Sequence, residues 1–164
     1  MNDDERYVRR ALELAAAAAE GGEVPIGAIL VSGDLVLEAK NEKEARRDPT
    51  AHAEILLLRE AARRLGAWRL CGATLFVTKE PCVMCAGAMI AARIKRLVYG
   101  APDPKGGADG GAFDVLRSAR TNHRIEVTEG VLQTEAAEQL QRFFAQKRAD
   151  AQREAGLDTS AFQP

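Results

Sequence analysis

Two cysteines, Cys82 and Cys85, stand three positions apart in the stretch TKEPCVMCAGAMI, directly behind Pro81. Proline fits the first turn of a helix, because the N–H group it lacks would have no partner there. On that helix both sulfurs lie on one face, and the helix N-terminus lowers the pKa of a thiol. Two adjacent thiolates are half of a zinc site, although a thiol redox protein shows the same spacing.

A histidine upstream favours the metal. The segment TAHAEI places His52 at the start of a second predicted helix, and the chain has two histidines in all. Two cysteines and one histidine leave a fourth position open, which is the catalytic zinc pattern. Glu54 follows His52 by two residues and so does not share its helix face. This offset suits a proton shuttle between an activated water and a leaving amine.

Two other candidates are interpreted differently. His123 stands beside Asn122 and Arg124 just ahead of a predicted strand. We interpret it as a surface or substrate-side residue rather than a ligand. Cys71 precedes another strand, and we expect a small buried residue with no role in zinc binding.

The segments around these residues alternate between helix and strand periodicity. Helices are predicted at 4–20, 52–65, 82–93 and about 134–156, with a short one near 112–118; strands are predicted at 24–31, 35–40, 73–78, 96–101 and 124–130; and a polar loop is predicted at 41–50. This order predicts an α/β fold with three layers, α/β/α, around a central mixed sheet of about five strands. We expect one domain over residues 1–164.

Composition limits the classes of function. The 164 residues are 46% hydrophobic and 29% charged, and the formal net charge is −1. No apolar run approaches the roughly 18 residues of a membrane span, and the N-terminus does not resemble a secretory signal. We therefore expect a cytoplasmic protein without a membrane partner. Cytosolic thiols stay reduced, so a structural disulfide is not expected.

The final predicted helix carries the local signal for a nucleic acid. Arg142, Lys147 and Arg148 stand beside Phe143 and Phe144. Cations next to aromatic rings suit phosphate contact and base stacking, and Phe144 is a candidate substrate-binding residue. The alternative is a helix that packs phenylalanine on the core and leaves its charges in solvent.

Together these residues resemble a known family. His52-Ala53-Glu54 followed by Pro81-Cys82-Val83-Met84-Cys85 matches the zinc nucleobase deaminase signature, His-x-Glu and then Pro-Cys-x-x-Cys. Further segments resemble the bacterial tRNA-specific adenosine deaminases, within the zinc-dependent cytidine and deoxycytidylate deaminase superfamily. These are EVPIGA, Asn41, DPTAHAEI, EPCVMCAGAMI, the loop from Asp103 to Ala108, and NHRIEVTEGVL. The resemblance covers about residues 5–150.

The resemblance implies a cytidine-deaminase-like fold and a function. The reaction would be hydrolytic conversion of adenosine to inosine at the wobble position of a tRNA anticodon, in an arginine tRNA, by a homodimer with its active site near the interface. One zinc ion per chain would be bound. The implied roles are zinc ligands for His52, Cys82 and Cys85, proton shuttle for Glu54, nucleotide contact for Asn41 and Asn122, and base-pocket lining for Pro25 and Ile26.

Some positions depart from the family pattern. Lys79 stands where leucine is common, Glu42 replaces an expected arginine, and Gly110-Gly111 replaces an expected Gly-Ser. The carboxylate of Glu42 is unfavourable near phosphates.

Three alternatives remain open. A deaminase of a free base or nucleoside such as guanine would keep the zinc residues but would not need the basic, aromatic final helix. A non-catalytic zinc subunit that binds RNA would not need Glu54. A thiol redox protein would leave His52 and Glu54 unexplained.

Overall fold

The computed structural model describes residues 1–160, and only the backbone of 157–160. The helices of this part of the chain are α1 Asp3–Glu20, α2 Lys43–Arg46, α3 Ala53–Leu65, α4 Val83–Ala92 and α5 Gln133–Ser160. The strands are β1 Gly27–Ser32, β2 Leu35–Lys40, β3 Thr74–Lys79, β4 Arg96–Ala101 and β5 Glu126–Thr128. No helix within 1–160 has the length and apolar character to cross a membrane.

The strands form one mixed sheet in the order β2-β1-β3-β4-β5. β1 pairs antiparallel with both β2 and β3, whereas β3, β4 and β5 run parallel to one another. Because β2 and β3 run in the same direction and β1 runs in the opposite one, β2, β3 and β4 end at the same end of the sheet at which β1 begins. Ile26, Asn41, Lys79 and Asp103 lie at this end.

Helices cover both faces of the sheet. On one face, α1 packs Val8 and Ala11 against Ile29, Phe76 and Val98. α1 lies so close to β1 that a side chain at residue 27 would meet the helix backbone 2.0 Å away, which requires glycine there. On the other face, α3 and α4 bury a larger apolar cluster against alternate residues of β1, β3 and β4. The predicted three-layer α/β fold with a mixed five-stranded sheet is confirmed.

Several predicted boundaries are wrong. β1 begins at Gly27 rather than at residue 24, because the N–H of Ile26 donates to the Val24 carbonyl in a tight turn around Pro25. The predicted loop at 41–50 contains the short helix α2, and β5 is limited to three residues. Cys71 is exposed rather than buried. It lies in a turn closed by a bond from the Ala73 N–H to the Leu70 carbonyl.

The helix predicted near 112–118 is also wrong. The segment follows a folded loop, in which the N–H groups of Ala112 and Phe113 both donate to the Gly107 carbonyl. Val115 and Leu116 donate in the same way to Ala108. Each of these bonds reaches back more than four residues, whereas the bonds of an α-helix reach back four. This loop packs against the residues in front of α4.

Candidate active site

Three side chains that can bind a metal converge where α3 and α4 begin. Nδ1 of His52 lies 3.6 Å from Sγ of Cys82 and 3.4 Å from Sγ of Cys85, and the three ligand atoms lie within 4.8 Å of one another. His52 and Cys82 occupy the cap positions of their helices, yet neither side chain caps its helix. The three ligand atoms lie next to one another instead, which matches a three-ligand zinc site with an open position.

The charge state of the sulfurs also fits a cation. A hydrogen bond from the Cys85 thiol lowers the pKa of Cys82 to about 3 and raises the pKa of Cys85. The bond to Cys82 raises the pKa of His52. A bound divalent cation would displace the remaining proton. Two sulfurs and an imidazole nitrogen are ligands that zinc prefers, so these residues fit that metal.

Glu54 lies in the first turn of α3 with its side chain buried. Burial is the main reason that the pKa of Glu54 is raised. Its Oε2 has no hydrogen-bond partner among the described residues. Buried polar atoms are almost always paired, so an unpaired carboxylate oxygen beside the cluster indicates a place for a ligand or water.

A cavity of about 200 Å³ opens onto this group. Glu54, His52 and Cys82 line it together with the predicted substrate-binding residues Ile26, Asn41 and Phe144, and with Val24, Lys43, Lys79, Glu80 and Asp103. Its volume suits a base or nucleoside rather than a longer ligand. Phe144 of α5 is 43% exposed, so part of its ring can contact a ligand.

Asn41 connects the end of β2 to the start of α3. Its Oδ1 accepts a 3.0 Å hydrogen bond from the N–H of Ala53, the first residue of α3, and the side chain is buried. This bond occupies the carbonyl oxygen of the amide. The NH₂ group of Asn41 is therefore the part that can donate to a ligand in the cavity.

Two predicted substrate-binding residues, Pro25 and Asn122, do not line the cavity. Pro25 is buried but does not line the cavity. Asn122 is exposed, and its Oδ1 accepts a 2.9 Å hydrogen bond from Arg93 at the end of α4. His123 is half-buried and its Nε2 donates to the Ile94 carbonyl at 2.7 Å, away from the ligand cluster.

Sequence reasoning missed the role of Glu80. Its buried carboxylate accepts backbone N–H bonds from Asp103, Asp109 and Gly111 at 2.7, 2.9 and 3.0 Å. The loop therefore wraps around this carboxylate next to the candidate metal ligands, with Gly107 opposite Cys82 in a β-bridge. The sequence feature that could have indicated this role is a glutamate directly before Pro81-Cys82, combined with a glycine-rich segment later in the chain.

Lys79 and Asp103 form an ion pair at the cavity mouth. Their Nζ and Oδ2 atoms lie 2.6 Å apart, and both side chains are mostly buried. Burial acts to raise the pKa of Asp103, but the hydrogen bond from Lys79 and its charge hold that pKa below its ordinary value. No sequence pattern predicts this contact, because Lys79 ends β3 whereas Asp103 lies two residues beyond the end of β4.

Comparisons with known proteins agree on one family. The model of the MafB19-like deaminase family matches residues 2–148. The tRNA-specific adenosine deaminase of Bacillus subtilis is 48% identical over 149 residues, which are 90% of this chain and 92% of that protein.

Solved structures share the fold. One, from a study of A-to-I editing by tRNA deaminases at the wobble position of transfer RNA, has a TM-score of 0.77 at 44% identity and covers 82% of this chain and 98% of its own. A guanine deaminase from Nitrosomonas europaea has a TM-score of 0.75 at 27% identity, covering 88% and 86%. The chain therefore belongs to the MafB19-like deaminases and, among them, to the family of tRNA-specific adenosine deaminases.

Proposed function

We propose that the protein converts adenosine to inosine at the wobble position of a tRNA anticodon, in an arginine tRNA, by hydrolytic deamination in the cytoplasm. The observation that carries this proposal is the buried, unpaired carboxylate oxygen of Glu54 beside the His52, Cys82 and Cys85 cluster. Support for the substrate comes from the relatives, which are named for this activity and match the chain over nearly its whole length.

His52, Cys82 and Cys85 would hold one zinc ion in each chain. When bound, zinc would supply a Lewis acid that lowers the pKa of a water molecule. The remaining chemistry falls to side chains of this protein. Asn41 would orient the base through its NH₂ group, and Ile26 and Phe144 would exclude water from the base.

Glu54 would move the protons. Deamination adds water at C6 of adenine and releases ammonia, so a proton must leave the water and a proton must reach the departing amino group. The Oε2 of Glu54, which is unpaired among the described residues, can take the proton of the water and pass it to the amine. Its raised pKa suits a group that must hold a proton between the two steps.

An anticodon loop suits this cavity better than a duplex does. The ligand cluster and Glu54 are largely buried, so the base must leave its stack, and a loop nucleotide pays the least for this. Single-stranded RNA binds aromatic rings by stacking and cations through phosphates. Phe144 and Lys79 at the cavity supply one of each.

The proposal includes a homodimer. A groove between α3 and α4 is lined by Ile55, Leu58, Ala88 and Ala91, and by Trp68, whose side chain is 61% exposed. Exposed apolar surface of this kind marks interaction sites. Asn122 stands near the end of α4 and away from the cavity of its own chain, so it would contact the nucleotide bound by a partner.

The experiment compares substrates for the purified, zinc-loaded protein. An anticodon stem-loop bearing ACG, free adenosine and guanine are incubated with wild-type protein and with Glu54→Ala, and inosine or xanthine is measured by mass spectrometry. We expect inosine in the stem-loop alone, and none with Glu54→Ala. Xanthine from guanine without inosine would favour the free-base deaminase. RNA binding without any product would favour the non-catalytic subunit.

A further inference from the structure

The Lys79–Asp103 ion pair stands where two concave surfaces meet. One is the cavity over Glu54, and the other is a groove of about 710 Å³ between the 101–106 segment and α5. Lys79, Asp103 and Phe144 line both. An RNA strand whose base enters the cavity would pass these residues as its backbone leaves along the groove.

Lys79 is held in this position. It is the last residue of β3, where it pairs with Ala101 of β4. Asp103 cannot move away, because its backbone N–H donates to Glu80 at 2.7 Å and its Oδ1 accepts the Lys105 N–H. An ammonium group has three donors, and Asp103 takes one of them. The others can reach a second anion at the junction.

The groove favours a polyanion as that second partner. Its lining adds Lys105 and Arg148 to Lys79, and Asp103 is its one carboxylate residue among the described lining residues. The surface therefore carries an excess of positive charge, although the chain as a whole has a formal net charge of −1. The wall also offers Phe144, Pro102 and Pro104 as flat apolar contacts for a base.

We propose that Lys79 binds the backbone phosphate next to the target nucleotide, and that Asp103 positions its ammonium group for this contact. The proposal rests on the proposed RNA substrate. It goes beyond the resemblance, which implies leucine at this position. An RNA phosphate contact of this kind adds affinity through counterion release, so its signature is a salt dependence.

The test measures RNA binding rather than turnover. Zinc-loaded Glu54→Gln protein is titrated with a fluorescent anticodon stem-loop bearing ACG, between about 50 and about 200 mM salt. Lys79→Leu is compared with Lys79→Arg in this background. Lys79→Leu introduces the residue implied by the resemblance, so β3 should tolerate it. Lys95→Leu is the matched control, because Lys95 is exposed at the opposite end of β4.

We expect Lys79→Leu to reduce the slope of log affinity against log salt by about 0.7, the value for one phosphate of a single strand. Over a fourfold rise in salt, the protein with Lys79 should therefore lose about 2.6-fold more affinity than the Lys79→Leu protein. Lys79→Arg should keep the slope, and Lys95→Leu should not change it. Lys79→Leu combined with Asp103→Asn should keep the reduced slope, because the phosphate contact is still missing.

Two results would overturn the inference. If Lys79→Leu weakens binding by the same factor at every salt concentration, Lys79 supports only the loop. If the double variant recovers the full slope, the single variant acted through the unpaired charge of Asp103. A separate assay with wild-type protein distinguishes the two proposals. Inosine formation together with an unchanged slope removes only the phosphate contact, whereas absence of both inosine and stem-loop binding removes the RNA substrate as well.

Discussion

Glu54 occupies a position that opposes its own charge. The side chain is buried, and one carboxylate oxygen is unpaired among the described residues. A glutamate kept only for stability would be poorly placed here, since burying an unpaired charge costs free energy. The arrangement is understandable if the oxygen is reserved for a proton that arrives with the reaction.

Replacing Glu54 by glutamine tests this role with almost unchanged shape. We expect kcat on the stem-loop to fall by about 10²–10⁴-fold, the usual contribution of acid–base catalysis, while stem-loop affinity and thermal unfolding change little. Glu60→Gln, a change on the outer part of the same helix, is the control and should keep activity. If kcat were retained in Glu54→Gln, another group would have to carry the protons.

Asp103 gives a pH-dependent prediction. Its folded-state pKa is lowered below the ordinary 3.8, so its contribution to stability is present above that value and is lost as pH falls through the folded pKa. We expect Asp103→Asn to cost about 1 kcal/mol at neutral pH, as for a good partly exposed ion pair, and to cost progressively less below pH 3.8. Urea unfolding of both proteins across this range measures the difference. A cost that is independent of pH would mean that the ion pair adds no stability.

At the scale of elements, the glycine-rich loop at 103–111 supports the candidate metal ligands. Glu80 gathers three backbone N–H groups of the loop. The N–H of Ala108 donates to the Pro81 carbonyl at 2.8 Å, and Gly107 is bridged to Cys82. The loop is thus bonded to the backbone that presents the first cysteine.

Gly107→Ala should disturb this support. The added Cβ would lie 2.2 Å from the carboxylate carbon of Glu80, which cannot move without breaking its bonds to the loop. We expect a loss of about 1–3 kcal/mol, typical of overpacking, together with weaker zinc retention. Gly87→Ala on the exposed side of α4 meets nothing within 4 Å and should not destabilise. Thermal unfolding and zinc content measure both. Equal unfolding temperatures for the two variants would contradict the role of the loop.

The elements that carry the ligands could be predicted, because their signals are local. Gly66 ends α3 in a left-handed conformation, and Pro81 precedes α4. The segment near 112–118 could not be predicted in the same way. The loop in front of it is bonded to Glu80, which lies about 30 residues before Gly111 in the sequence. The position of Asn122 outside the cavity likewise depends on packing that no short pattern contains.

For the molecule as a whole, the metal would join two helices. His52 begins α3, whereas Cys82 and Cys85 belong to the start of α4, so one ion would connect segments about 30 residues apart in sequence. A ligand that binds only the folded state at 100 times its Kd adds about 2.7 kcal/mol, which is roughly 5–10 °C in Tm at this size. We expect chelation to lower Tm by about this amount and zinc alone to restore it. His52→Ala should show a low Tm that zinc does not raise.

The arrangement of Asn122 makes a prediction about the assembly. If Asn122 serves the partner's cavity, Glu54→Ala and Asn122→Ala each inactivate a homodimer, but a mixed dimer contains one intact site. That site takes Glu54 from the Asn122→Ala chain and Asn122 from the Glu54→Ala chain. Co-expression with two different tags and purification through both should then give about half of the wild-type activity per dimer, as expected for an isologous pair. If Asn122 acted within its own chain, the mixed dimer would stay inactive, because each chain would lack one of the two groups.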